Sequence, residues 1–188
     1  QKARARPPPG GRRYRMPVAY DGTDFFGWQV QPNKVTVQGA LESALMQLTG
    51  GLVHVHSCGR TDTGVHARAQ VAHFDLARPW EGWKLQRALN GLLPDSVRVM
   101  ELRRTRSDFH ARYDANGKEY RYTFWNGPVP CPLHRRQAVH VRLPLDVQAM
   151  RQAAARLVGT HDFASFSANP PREIGGTART LWRISIRK

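Results

Sequence analysis

Residues 35–76 read VTVQGALESALMQLTGGLVHVHSCGRTDTGVHARAQVAHFDL, and along them the apolar period changes from a helical one to an alternating one. Val37, Ala40, Leu41, Ala44, Leu45 and Leu48 recur at three- and four-residue spacing. That spacing predicts an amphipathic helix over Val35 to Thr49 with one face turned inward. Thr36 fits the cap of its first turn, and Gly50-Gly51 ends it. Leu52 to His56 then alternates as a strand, and Gln70 to Leu76 as another. Cys58 to Ala67, between them, is polar and holds two glycines, which makes it a loop.

Working outward, Tyr14 to Tyr20 reads as a strand. Pro17 removes a ladder donor there, which suggests an edge or a bulge. Asp21-Gly22-Thr23-Asp24 is a turn signal. Trp83 to Leu93 predicts a second helix and Val97 to Leu102 a further strand. The resulting order βαββαβ predicts a ferredoxin-like or RNA-recognition-type unit, an α+β sandwich. From Thr105 a second unit begins, with strands at His110 to Asp114 and Lys118 to Trp125 joined by the turn Asn116-Gly117. Ala138 to Val141 follows as a strand, then a helix over Asp146 to Val158 with Val147, Met150, Ala154 and Leu157 inward, then a strand over Thr180 to Arg187.

The expected organisation is a basic tail at 1–12, an N-terminal domain at 13–104 carrying the loop 58–67, and a C-terminal domain at 105–188. The tail has no apolar residue larger than Ala, so burial cannot offset its ordering entropy and it is expected to be mobile. A second domain that stops on a strand after one helix reads as incomplete. Trp80, Trp83, Trp125 and Trp182 read as core or half-buried aromatics, and Phe163 and Phe166 as packed under the second sheet.

Composition narrows the function. Lys and Arg total 29 against 14 Asp and Glu, a net charge of +15, and Arg far outnumbers Lys. Such a surplus implies a polyanionic partner, because releasing counterions from phosphates drives association. A solvated surface rich in Arg is the bland alternative. No apolar run is long enough to cross a membrane, and Gln1 to Arg13 lacks the apolar centre of a secretory signal. Cys58 and Cys131 fit neither a metal nor a redox spacing, so a reduced compartment, by default the cytoplasm, is expected. His54 and His56 alternate on one strand face without a third ligand at matching spacing, which favours surface-facing or RNA-facing histidines over a metal site.

The loop Gly59-Arg60-Thr61-Asp62-Thr63-Gly64-Val65-His66-Ala67 carries the chemistry. Arg60 beside Asp62 would hold a carboxylate ionised, and Gly64 admits a ligand backbone closely. On residue types alone, an Asp that caps its own turn while Arg60 faces water fits better.

The wider pattern changes that balance. The loop resembles the signature of the TruA family of tRNA pseudouridine synthases, and other segments match in order. These are Tyr20-Asp21-Gly22-Thr23 with Phe26-Gly27-Trp28-Gln29, Thr36-Val37-Gln38-Gly39, and Asp108-Phe109-His110-Ala111-Arg112. Lys118-Glu119-Tyr120-Arg121-Tyr122, Gly159-Thr160-His161-Asp162-Phe163 and Arg179-Thr180-Leu181 complete the set. The resemblance covers Arg13 to Lys188. It implies an α+β protein of two ferredoxin-like subdomains with antiparallel sheets and a central basic cleft. It implies uridine-to-pseudouridine isomerisation in the anticodon stem-loop of tRNA, no cofactor, no metal, no membrane, and a homodimer.

By the same resemblance Asp62 sits where the family has its nucleophile, Tyr120 where a tyrosine contacts the flipped uracil, and Arg60 at the loop arginine. Arg112 and Lys118 fall at RNA-lining positions. His66 follows the loop motif, as a structural hydrogen-bonder or an RNA contact. The family's further arginine, in a Phe-Leu-Arg-like segment, has no counterpart up to Lys188, which puts the completeness of the site in question. Of three alternatives the first is kept and the other two are disfavoured. One is a non-catalytic RNA-binding module of the same fold, which binds tRNA with a steep salt dependence. Another is a basic structural protein, for which an active-site loop has no use. A glycoside hydrolase would need a second facing carboxylate, and none is apparent.

Overall fold

A computed structural model describes residues 6–167 and 176–188. The chain divides into two units, Gln1–Arg121 and Tyr122–Lys188. In the first, β1 (Arg12–Tyr20), α1 (Val37–Thr49), β2 (His56–Ser57), β3 (Ala67–Leu76), α2 (Gly82–Leu92) and β4 (Val97–Val99) follow in that order, with β5 (Arg103–Thr105) after them. The strands lie side by side as β2-β3-β1-β4, with β5 also beside β1, and every pairing is antiparallel.

The even residues of β1, Tyr14, Met16, Val18 and Tyr20, are buried on one face of the sheet. Tyr14 lies opposite Phe74 and stacks on it, with ring centroids 5.6 Å apart. Val37, Leu41 and Leu45 of α1 and Leu85 and Leu89 of α2 fill the same core, so both helices cover that face. Each such leucine contributes about 1.5–3 kcal/mol by leaving water. Thr36 caps α1, its hydroxyl accepting from Gly39 N at 3.2 Å, and Gly50 closes the helix in the left-handed region at φ 73°.

On the opposite face Arg13 and His73 are buried. Arg13 forks onto Asp75, both N–O distances being 2.7 Å, and donates from Nη1 to Phe109 O at 2.8 Å. Ala111 N donates to His73 Nδ1 at 3.2 Å. The segment around Phe109–Asp114 is therefore strapped to the sheet by side chains, and its own backbone closes a turn from Asp114 N to His110 O. That is why the strand expected at His110 to Asp114 is absent: its amides are committed locally.

Other boundaries differ for physical reasons. Pro17 lies in a strand with neighbours on both sides, opposite Val71, rather than at an edge. Its carbonyl accepts from Met100 N, so its missing N–H points to the gap between β4 and β5, where no ladder bond is lost. The expected strand Val97 to Leu102 shortens to β4 at this gap, and β5 begins just beyond its expected end. Val53 and Val55 are buried, but of the expected strand Leu52 to His56 only His56 pairs with β3, with Ser57 paired just beyond it. Ahead of β1, Gly11 N donates to Pro8 O in a turn; the first five residues of the expected tail lie outside the described residues.

The second unit holds β6 (Phe124–Asn126), β7 (Val139–Val141), α3 (Val147–Leu157), β8 (Gly159–Asp162) and β9 (Ala178–Leu181). Asp146 caps α3 by accepting from Ala149 N at 2.9 Å. β8 and β9 pair antiparallel, but β6 and β7 pair parallel, a departure from the all-antiparallel expectation. The hairpin expected across Asn116-Gly117 does not form, and the strand beyond it shortens to β6; β9 likewise ends at Leu181. Ala154 is the one buried apolar side chain of this unit among the described residues. Trp182 and Phe166 are largely exposed, 70% and 76%, and in the first unit so is Trp83 at 62%, against the expectation that they pack inward. No helix among the described residues is long and apolar enough to cross a membrane.

Candidate active site

Asp62 stands in the loop between β2 and β3, and this loop lies on the turn that follows β1. Trp28 N donates to Thr61 O at 3.0 Å, and Gly64 N donates to Phe25 O at 3.2 Å. Two glycines make the contact possible. A Cβ on Gly22 would meet Val65 O at 2.0 Å, and one on Gly27, whose φ is +79°, would meet Thr61 O at 2.5 Å. At the far side Gly22 N donates to His66 Nδ1 at 3.2 Å, with Asp21 Oδ1 3.0 Å from the same nitrogen. Within the loop, Val65 N donates to the backbone carbonyl of Asp62 at 3.2 Å.

The Asp62 side chain is exposed. Among the described residues its carboxylate makes no hydrogen bond and no ion pair, so it does not cap its own turn. Arg60, also exposed, does not pair with it, which removes the expected contact between guanidinium and carboxylate.

Lys118 comes to the same loop: a Cβ on Gly59 would lie 2.7 Å from Lys118 Nζ. Tyr120, two residues on, is 74% exposed. Arg112 is exposed too and donates its backbone N–H to His110 Nδ1 at 3.2 Å, on the strap over the sheet. Asp62, Arg60, His66 and Lys118 thus share one loop and its immediate neighbour, whereas Arg112 belongs to the strap. His66 is tied to the turn after β1 and is half-buried there, the geometry of a structural hydrogen-bonder.

Two groups escaped the reading of the sequence. Tyr20 reaches Thr61 with its hydroxyl, at 2.8 Å, and burial pushes its phenol above the ordinary value. His73 sits among His56, His110 and Phe109, with ring centroids 5.0, 4.7 and 5.9 Å away. Burial, with the positive neighbours His56, Arg13 and His110, pushes it down to about 3. Only alternation in β3 marked His73 as facing away from the helices; nothing in the sequence signalled its burial. Among the described residues, no group of three or more His, Cys, Asp or Glu is placed to hold a metal ion, and both cysteines are free.

Comparison with known proteins fits this loop and its bed. A family model described as tRNA pseudouridine synthase matches residues 16–114, the span from β1 through the strap. The chain is 49% identical over 179 residues to the tRNA pseudouridine synthase A of Brevibacillus brevis, covering 94% of this chain and 72% of that protein. It is 48% identical to the protein of the same name from Halalkalibacterium halodurans, covering 93% and 66%. For that of Neisseria meningitidis serogroup B the identity is 49%, covering 93% and 66%. The chain thus spans about two thirds of the length of these relatives. On the strength of the matched span and this identity, the chain belongs to the tRNA pseudouridine synthase family, a family of isomerases.

Proposed function

We propose that the protein converts uridine to pseudouridine in tRNA, with the carboxylate of Asp62 as the nucleophile. The observation that carries this reading is an exposed, unpaired acid on a loop fixed through its backbone to the turn after β1. The reaction breaks the bond between ribose C1′ and uracil N1, turns the base, and joins C1′ to uracil C5. A proton leaves C5 and one ends on N1, so atoms balance without a redox partner or net hydrolysis. A carboxylate ionised at neutral pH can open the first bond by attack.

The target base must leave its stack, which costs about a few kcal/mol. Contacts of a strongly basic chain with the phosphates offset that. Tyr120, with its ring in solvent, offers a face against which a detached uracil can rest and a phenol for proton transfer. Arg60, Lys118 and Arg112 present cations to the RNA backbone from the loop, beside it and from the strap. The half-buried His66 serves chiefly to hold the loop, with its exposed part open to RNA. By resemblance alone, the reading extends to the anticodon stem-loop as target, to two related ferredoxin-like domains, and to a cytoplasmic homodimer.

The test is the pseudouridine content of anticodon arms in cells whose only copy carries Asp62→Asn. Loss at the anticodon arm is expected. An unchanged level rejects the enzymatic reading and leaves an RNA-binding module of the same fold.

A further inference from the structure

Tyr20 ends β1 and is 4% exposed, an unusual place for a phenol unless its hydroxyl has a partner. That partner is Thr61 Oγ1. The Tyr20 ring leans on Trp28, centroids 6.0 Å apart, and Trp28 in turn donates its backbone N–H to Thr61 O. Thr61 is therefore held at its side chain and at its carbonyl, both from the segment 20–28. It is the residue immediately before Asp62. Beneath them, Gly27 leaves room for the peptide: a Cβ there would stand 3.1 Å from the Asp62 carbonyl carbon. Beyond them, Gly64 is tied to Phe25 O. Since the Asp62 carboxylate has no bond of its own among the described residues, the point from which it reaches out is set by these flanks.

We propose that Tyr20 is a positioning residue for Asp62, acting through the hydroxyl of Thr61. The inference rests on Asp62 being the catalytic carboxylate. Removing the Tyr20 hydroxyl leaves the ring and its packing on Trp28 in place but frees Thr61 to change rotamer, and with it the peptide that carries Asp62. Misplacement of a reacting group by about 1 Å lowers a rate on the order of a hundredfold.

The experiment compares Tyr20→Phe, Thr61→Val, their double variant, Thr61→Ser and Asp62→Asn in steady-state and single-turnover pseudouridine formation on tRNA. Binding of tRNA and melting temperature are recorded for each. Tyr20→Phe and Thr61→Val are each expected to lower kcat by roughly ten- to a hundredfold while KM and tRNA affinity hold. The double variant falls no further than the worse single one, because both remove the same contact, and Thr61→Ser, which keeps a hydroxyl, turns over like the wild type. Wild-type kcat in Tyr20→Phe, or additive losses in the double variant, overturns the proposal, as does a loss that follows melting temperature alone. Turnover by Asp62→Asn at the wild-type rate instead refutes the catalytic reading beneath it. An inactive Asp62→Asn alongside a fully active Tyr20→Phe removes the positioning role alone.

Discussion

At Gly27 the backbone has φ +79°, and a methyl group would run into the carbonyl of Thr61. Gly27→Ala therefore meets two penalties, a left-handed backbone without glycine and a displaced Asp62 loop. Together they are expected to cost about 1–3 kcal/mol of stability, read from chemical denaturation, with a fall in kcat beside it. Asp62→Asn leaves every backbone bond of the loop in place. Its melting temperature should match the wild type, while pseudouridine formation falls by about 10⁴-fold or more, to background, as when a nucleophile is lost. The loop itself was legible in the sequence because glycines and a charged pair in a turn are local signals. Its bed was not. Tyr20 and Thr61 are 41 residues apart, and the pairing of β1 with β3, with the bonds between turn and loop, brings them to 2.8 Å. The expected Arg60–Asp62 pair failed for the opposite reason: nearness in sequence on a turn does not aim two side chains at each other.

Among the elements, α1 agreed most closely with its periodicity, since cap, stop and inward face all point the same way. Thr36→Ala removes the hydroxyl that accepts from Gly39 N and should cost about 1 kcal/mol in urea unfolding. Short strands were harder to place, because β4, β5 and β6 are three residues each and take their ends from partners far along the chain. The strap over β1 and β3 looks like a strand in sequence for the same reason, its fixings being side chains of Arg13 and His73. His73 gives this layer a pH dependence. Its folded value of about 3 lies below the unfolded value of 6.5, so on acidification the unfolded chain takes up a proton that the folded one refuses. Stability is complete above about pH 6.5 and declines as pH falls towards 3. His56, lowered by partial burial and by His54 and Arg13, acts in the same sense, with Asp75 and Glu42 opposing. Thermal melting should drop between about pH 7 and about pH 5, and the drop should shrink in His73→Gln.

Across the whole molecule the charge of +15 bears on how the proposed enzyme would meet RNA. If some six to ten phosphates are contacted, tRNA affinity should weaken about 10³- to 10⁵-fold between roughly 50 and 200 mM salt, as measured by filter binding. Composition alone points to a polyanionic partner but carries no chemistry; the proposed chemistry rests on Asp62 and the elements that present it. If Asp62 is the nucleophile, catalysis and binding separate, and one measurement addresses the chemistry directly. Joining uracil C5 to ribose releases the hydrogen of C5, so tRNA tritiated at that position reports each turnover. The wild type should release tritium to water, and Asp62→Asn, binding the same tRNA with equal affinity, should release none above background. Release by Asp62→Asn at the wild-type rate would contradict the assignment of that carboxylate to the reaction.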